Sequence, residues 1–280
     1  MRLFSTFMNL FSALGEKHRF LLQSWVEAAA SRFWKRKPTK TLIQEGKVMI
    51  KVYTAESAHR FDHGWLEGSH IFSFGEYYDP DNTAFGPMRV CNDDIIAPGR
   101  GFGAHPHSDM EIVSIILSGR LRHEDNLGNV AESSFGGIQR MSAGTGVIHT
   151  EHNPSKDEPV RLLQLWFMPA VRGLQPSYKA GKYLPEKLDG ALLPVVSAEG
   201  SDEIVDIGQD MTIYLGRLRG GQDLLFDQKP GRRIFIYIIE GSLSVGGSKL
   251  RSGDSARIEE ESMVQLAASE PAFVLLIDLP

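Results

Sequence analysis

Hydrophobic positions change their period near residue 46. Upstream, Phe4, Phe7, Met8, Phe11 and Leu14 recur at three-to-four spacing, and Phe20, Leu21, Leu22, Trp25 and Val26 carry the stripe toward Phe33 and Trp34. That is the period of an amphipathic helix or helix pair, and Pro38 ends it. Downstream, Val48-Met-Ile50-Lys-Val52-Tyr53 reads as a first strand. Short apolar runs then alternate with Gly, Pro, Asn and Asp down to Pro169, a rhythm of β-sandwich or barrel and not of βαβ units. The run Ile112–Leu117 is continuous, so its alternate residues are expected to face a barrel interior and an opposing sheet. Asn126-Leu-Gly128-Asn is a hairpin turn, and Leu162–Met168 is a further buried strand stopped by Pro169.

The second half echoes the first. Ile116-Leu-Ser-Gly119-Arg-Leu121 is answered by Ile238-Ile-Glu-Gly241-Ser-Leu243, and Gly136-Gly137 by Ser252-Gly253-Asp254. These matches predict an internal repeat of two β domains. The expected organisation is a helical extension at 1–46, a first β domain at 47–180 and a second at 181–280, with the linker within 170–190, where Gly173, Pro176, Gly181 and Pro185 fall.

Composition narrows the classes. The 280 residues carry a net charge of −5, so bulk electrostatics gives no case for nucleic acid, and residues 47–280 have no basic patch for direct DNA binding. Charge is uneven, about +5 before Gly46 and −10 after it, which sets the N-terminal piece apart. Its expected roles are packing on the body or a protein partner, a membrane-surface helix, or organellar targeting. A lone cysteine, Cys91, excludes an intramolecular disulfide framework and reads as a small buried apolar residue. No apolar run reaches transmembrane length, and a cytoplasmic location is expected.

The chemistry concentrates between Gly99 and Asn153. His105-Pro-His107 and His149-Thr-Glu151 are two i, i+2 pairs, each preceded by a glycine turn and separated by strand-like sequence. Side chains two apart on a strand point the same way, so both pairs could converge inside one barrel. Imidazole and carboxylate without thiolate suit a first-row divalent ion better than a structural zinc knuckle. Glu111 shares parity with the first pair as Glu151 does with the second, so spacing leaves the fourth ligand open between them. With the glycines of the two halves aligned, Asp227, Lys229 and Arg233 take the places of His105, His107 and Glu111, and Gln265 and Ala267 those of the second pair. The second domain is therefore expected to hold no metal. Other histidines rank lower: His63 and His70 in an aromatic segment that could cover the barrel mouth, His152 pointing outward, His123 a solvated turn residue beside Glu124 and Asp125.

Gly99, five residues, then His105-x-His107-x-x-x-Glu111 resembles the first cupin motif, and Gly146-x-x-His149-x-x-x-Asn153 the second. Phe61-Asp-His-Gly-Trp65, Met110-Glu-Ile-Val113 and Gln139-Arg-Met-Ser-Ala-Gly-Thr-Gly146 are similar to the pirin family. The resemblance runs from about residue 46 to 280. It departs from the family at Gly144, where a proline is expected, and at Gly119, which comes one residue late. It implies a mainly β bicupin, two consecutive cupin β-barrels (double-stranded β-helices), with one metal in the N-terminal barrel. It also implies the ligand set His105, His107, His149 and Glu151, with Glu111 a supporting group that could hold a histidine ring.

Three imidazoles and a carboxylate leave two positions of a six-coordinate ion for water, dioxygen or a chelating substrate. The resemblance implies a quercetin 2,3-dioxygenase acting on a flavonol and dioxygen, with Fe(II) the expected metal and Ni, Cu, Mn or Zn acceptable to the same donors. Glu151 would double as base for the 3-hydroxyl, and Phe72, Phe74 and Trp166 would face the substrate. The alternative is a non-catalytic, iron-dependent redox sensor or transcription cofactor acting through protein partners, and a third reading is a metal-stabilised protein binding another ligand.

Overall fold

The computed structural model describes residues 50–280, so the helical extension expected at 1–46 and its partner role lie outside the described residues. The first strand, β1 (Ile50–Tyr53), forms where expected but pairs antiparallel with a strand of the second barrel. The first barrel is built from β2 (His59–Asp62), β3 (Leu66–His70), β4 (Met88–Ile96), β5 (Gly101–His107), β6 (Glu111–Ser118), β7 (Arg120–Asp125), β8 (Val130–Ser134), β9 (Gly137–Ser142), β10 (Val147–His152), β11 (Val160–Phe167) and β12 (Ser177–Lys182). A four-stranded sheet, β5-β10-β7-β8, closes over a seven-stranded one, β12-β9-β6-β11-β4-β3-β2.

The second barrel continues with β13 (Leu193–Ser197), β14 (Val205–Asp206), β15 (Thr212–Leu218), β16 (Gln222–Asp227), β17 (Arg233–Val245), β18 (Ser248–Arg251), β19 (Ser255–Glu259), β20 (Met263–Ala268) and β21 (Ala272–Leu279). The expected linker is therefore part barrel: Ser177–Lys182 is β12, paired with β9, and a short 3-10 turn comes after it at Pro185–Leu188. The hairpin turn forms between β7 and β8, with Gly128 at φ 89. Among the described residues no helix is long and apolar enough to cross a membrane.

The run on β6 behaves as its continuity predicts, because it is covered on both faces. Ile112 and Ile116 join small apolar clusters at the two ends of the first lumen, while Val113 and Ile115 join a core packed between the barrels. That shared core takes Phe72, Met88, Leu163 and Phe167 from the first barrel and Phe235, Tyr237, Leu275 and Ile277 from the second. Two polar ties cross it. Arg161 holds Asp93 through two bonds of 2.9 and 2.7 Å, and the Tyr237 hydroxyl donates to the same carboxylate at 2.8 Å. The Arg257 guanidinium lies 4.0 Å from the Tyr53 ring and 4.2 Å from the Phe72 ring, so a buried cation rests between aromatic faces. Phe72 is thus a fully buried core residue and does not face a substrate, contrary to the expectation from its place in an aromatic segment.

Candidate metal centre

β5 and β10 run antiparallel with His105 opposite His149 and His107 opposite Val147. Alternation puts His105 and His107 on one face of β5, and Val147, His149 and Glu151 on the inward face of β10. The register then slips: Glu151 pairs with Phe102, so three residues of β5 span two of β10. The bulge falls at Gly103–Ala104, and the Gly103 carbonyl accepts a hydrogen bond of 2.7 Å from His105 Nδ1. Gly146, at φ 142, turns the chain into β10.

The three histidine rings converge, with centroids 4.4 Å apart for His105–His149, 4.9 Å for His105–His107 and 5.0 Å for His107–His149. Their ligand atoms lie within 4.8 Å of one another. A second group within the same limit is His123, His149 and Glu151, so His149 belongs to both. His107 Nε2 and His149 Nε2 are buried without a hydrogen-bond partner, and His105, spending its Nδ1 proton on Gly103, keeps a lone pair on Nε2. Orphaned imidazole nitrogens turned toward one point are costly unless something accepts their lone pairs. Burial, helped by the neighbouring histidines, pulls His107 down to about 4 and His149 to about 2, so both are neutral and ready to ligate at neutral pH.

Glu151 is buried, and both its oxygens are engaged. Ser114 Oγ lies 3.0 Å from Oε1 and Gln164 Nε2 donates to Oε2 at 2.8 Å. Ser114 Oγ is also 2.9 Å from Gln164 Oε1, so one hydroxyl proton faces two acceptors. The Ser114 hydroxyl is thus shared between the Glu151 carboxylate and the Gln164 side-chain carbonyl, while the Gln164 amide holds the other Glu151 oxygen. Burial, the largest influence, does push the Glu151 carboxyl up, against the Ser114 bond and nearby histidines. Behind it, Asp94 is pushed up to about 8, by burial first and then by the charges of Asp93 and Glu151.

The structure corrects two further placements. Glu111 belongs to neither cluster: its carboxylate accepts from Ser142 Oγ at 2.7 Å and from the Gly208 amide at 3.1 Å, tying the first barrel to the loop before β15. It holds no histidine ring. His123 is not a solvated turn residue but is 2% exposed, facing into the lumen on β7. The signal was present in the alternation Leu121, His123, Asp125, which the charged neighbours obscured. Ser114 and Gln164 went unnoticed because short polar residues inside apolar strands look like noise without a partner. Phe74 and Trp166 do sit at the site: Trp166 lies edge-on to His107 at 4.8 Å, and Phe74 edge-on to Trp166 at 5.3 Å. His70 packs between Phe61 and Phe74 at the end of this row, at 4.5 and 5.0 Å.

Comparison with known proteins bears on the same residues. Residues 52–167 match the family profile described as Pirin, and residues 194–279 the profile described as Quercetinase C-terminal cupin domain. A quercetin 2,3-dioxygenase of Escherichia coli strain K12 is 38% identical over 83% of this chain and 99% of its own. A crystal structure of a bacterial pirin of Escherichia coli in complex with nickel(II) superposes with a TM-score of 0.79 at 37% identity, over 83% of this chain and 99% of that one. A quercetin 2,3-dioxygenase structure from Acinetobacter baumannii, at 22% identity and a TM-score of 0.64, covers 83% of this chain and 86% of its own and shares the fold.

Proposed function

The chain belongs to the pirin family, and from that premise we propose that it is a metal-dependent quercetin 2,3-dioxygenase, opening a flavonol with dioxygen and releasing carbon monoxide. The observation that carries the reading is the convergence of three imidazoles, two of them with a buried Nε2 that has no hydrogen-bond partner, beside a buried carboxylate. In this reading residues 47–180 carry the chemistry and residues 181–280 the scaffold.

His105, His107, His149 and Glu151 would hold one divalent ion, Fe(II) by expectation, with Ni, Cu, Mn and Zn acceptable to the same donors. A nickel-bound relative supports a divalent ion without fixing which. When bound, the ion supplies open positions where an enol-type oxygen and dioxygen meet. The chain's own residues do the rest. Glu151, with its proton affinity raised by burial, takes the proton of the flavonol 3-hydroxyl, and Ser114 and Gln164 hold its two oxygens in place as its charge changes. Trp166 and Phe74 offer apolar edges to a planar polyphenol and keep water from the Glu151 side of the lumen.

The test is dioxygen uptake and carbon monoxide release with quercetin by the full-length protein loaded with Fe(II) or Ni(II). Turnover is expected. No uptake with any flavonol, at a site shown to be filled, would sink the enzyme and leave the sensor reading.

A further inference from the structure

His149 reaches the metal cluster from one ring nitrogen and a second histidine from the other. Its Nδ1 lies 3.3 Å from His123 Nδ1, and His123 Nε2 lies 3.1 Å from Asp125 Oδ2. His123 and Asp125 are both almost wholly buried, at 2% and 1% side-chain exposure. The Tyr178 ring stacks on His123 at 4.2 Å and 17°, which fixes the imidazole plane. Asp125 is fixed in turn by the hairpin it opens: its Oδ1 accepts from the amides of Leu127 and Asn129 at 3.0 Å, and its Oδ2 from Asn129 Nδ2 at 2.8 Å.

Two ring nitrogens facing each other share a single proton between them. The Asp125 carboxylate, holding amide donors, accepts and does not donate, so His123 carries its proton on Nε2. With Nε2 carrying the ring's one proton, His123 presents a lone pair at Nδ1, and His149 then carries its proton on Nδ1. The remaining lone pair of His149 is on Nε2, the buried atom without a partner. We propose that Asp125 and His123 form a positioning relay that locks His149 in the tautomer whose Nε2 faces the metal. The relay deepens the metal-site reading and rests on it. It gives the hairpin turn, remote in sequence from any ligand, the job of setting ligand chemistry at His149. His105 has a simpler device, its bond to Gly103, so the two opposed histidines are set by different means.

The relay also decides which of the two overlapping clusters takes the ion. If His123 spends its Nε2 proton on Asp125 and its Nδ1 lone pair on His149, it has nothing left to ligate with. His123 is then a support, and the ion is left to His105, His107 and His149 with Glu151.

The experiment uses the full-length, metal-free protein labelled with nitrogen-15, followed by titration with Ni(II) against a competing chelator. Long-range proton–nitrogen spectra report the tautomer of each ring. In the unmodified protein His149 should be the Nδ1–H form and His123 the Nε2–H form. Asp125→Asn can offer an amide donor to His123 Nε2, which reverses the relay and moves the His149 proton to Nε2. Ni(II) affinity should then fall by about 10–100-fold with the His105 signals unchanged. Should Asp125→Asn fail to fold, the unmodified spectra still decide: an Nε2–H form of His149 overturns the relay. A His149 tautomer and Ni(II) affinity both unchanged in folded Asp125→Asn would overturn it as well. X-ray absorption of the Ni(II)-loaded protein separates the two readings. Loss of one imidazole scatterer in His123→Phe makes His123 a ligand and contradicts the relay, whereas absence of Ni(II) from the unmodified protein contradicts the metal site itself.

Discussion

The two barrels share a strand plan and differ in what fills them. In the first lumen, apolar clusters at either end enclose a belt of buried polar residues: Asn92, Asp94, Ser114, His123, Gln139, His149, Glu151 and Gln164. The second lumen is filled by Ile234, Ile236, Leu243, Val245, Ile258, Val264, Leu266 and their neighbours. Strand pairing makes the comparison position by position. Glu151 pairs with His123 four residues after Gly119, and Leu266 pairs with Val245 four residues after Gly241. Glu151 therefore matches Leu266, His149 matches Val264, and His123 matches Val245. His105, opposite His149, matches Phe226, opposite Val264. The one lumen accepts the cost of desolvating polar groups and meets it with hydrogen bonds. The other gains about 1.5–3 kcal/mol for each large aliphatic side chain it buries. One architecture thus separates chemistry from cohesion, and the shared core between the barrels lets the second steady the first.

The largest effect that could break this comparison is at a ligand. His107→Ala should empty the site and abolish turnover, a loss beyond the ~100-fold typical of supporting residues. Metal retained at full occupancy, by elemental analysis, would refute the ligand set. Next, Leu266→Glu puts the matching carboxylate into the second lumen without its Ser and Gln partners. It should cost about 3–5 kcal/mol in denaturant unfolding and bind no metal, because an unpaired buried charge has nothing to offset it. A tolerated glutamate there would mean the two lumens are interchangeable. Smaller is Gln164→Leu, which strips one donor from Glu151. It should weaken Ni(II) binding by roughly 10-fold and leave Tm within a few degrees, measured by titration and calorimetry.

The smallest effect is on pH. Asp94 keeps its proton to about 8 in the folded protein, against 3.8 for the ordinary group. A folded value raised above the unfolded one gives stability that is complete at low pH and lost as pH rises through the folded value. Between pH 7 and 8, where His107 and His149 are neutral folded and largely so unfolded, the metal-free protein should lose on the order of 1 kcal/mol. Asp94→Asn should flatten that slope, read from urea unfolding at several pH values.

Much of this was legible in the chain. The i, i+2 pairs at His105/His107 and His149/Glu151 give strand faces directly, and the structure brings the three histidines together as that parity requires. The repeat was legible from its glycines, but its register was not. Gln265 and Ala267 lie on the outer face of β20 and Asp227 on that of β16, one residue away from the inward positions Val264, Leu266 and Phe226. A one-residue slip exchanges the faces of a strand, so glycine spacing alone cannot set it. The pairing of β1 with β19 depends on a contact between residues some two hundred apart, which no local pattern encodes. Phe72 and Glu111 were misplaced for the same reason: each meets a partner from the second barrel, Phe235 in one case and Gly208 in the other.

The central claim is that one lumen is the metal centre and the other is not. Anomalous diffraction from crystals of the Ni(II)-loaded full-length protein tests it most directly. One peak per chain is predicted, within bonding distance of Nε2 of His105, His107 and His149 and of a Glu151 oxygen. A peak held by His123 without His105 and His107, or one inside the second barrel, would contradict it.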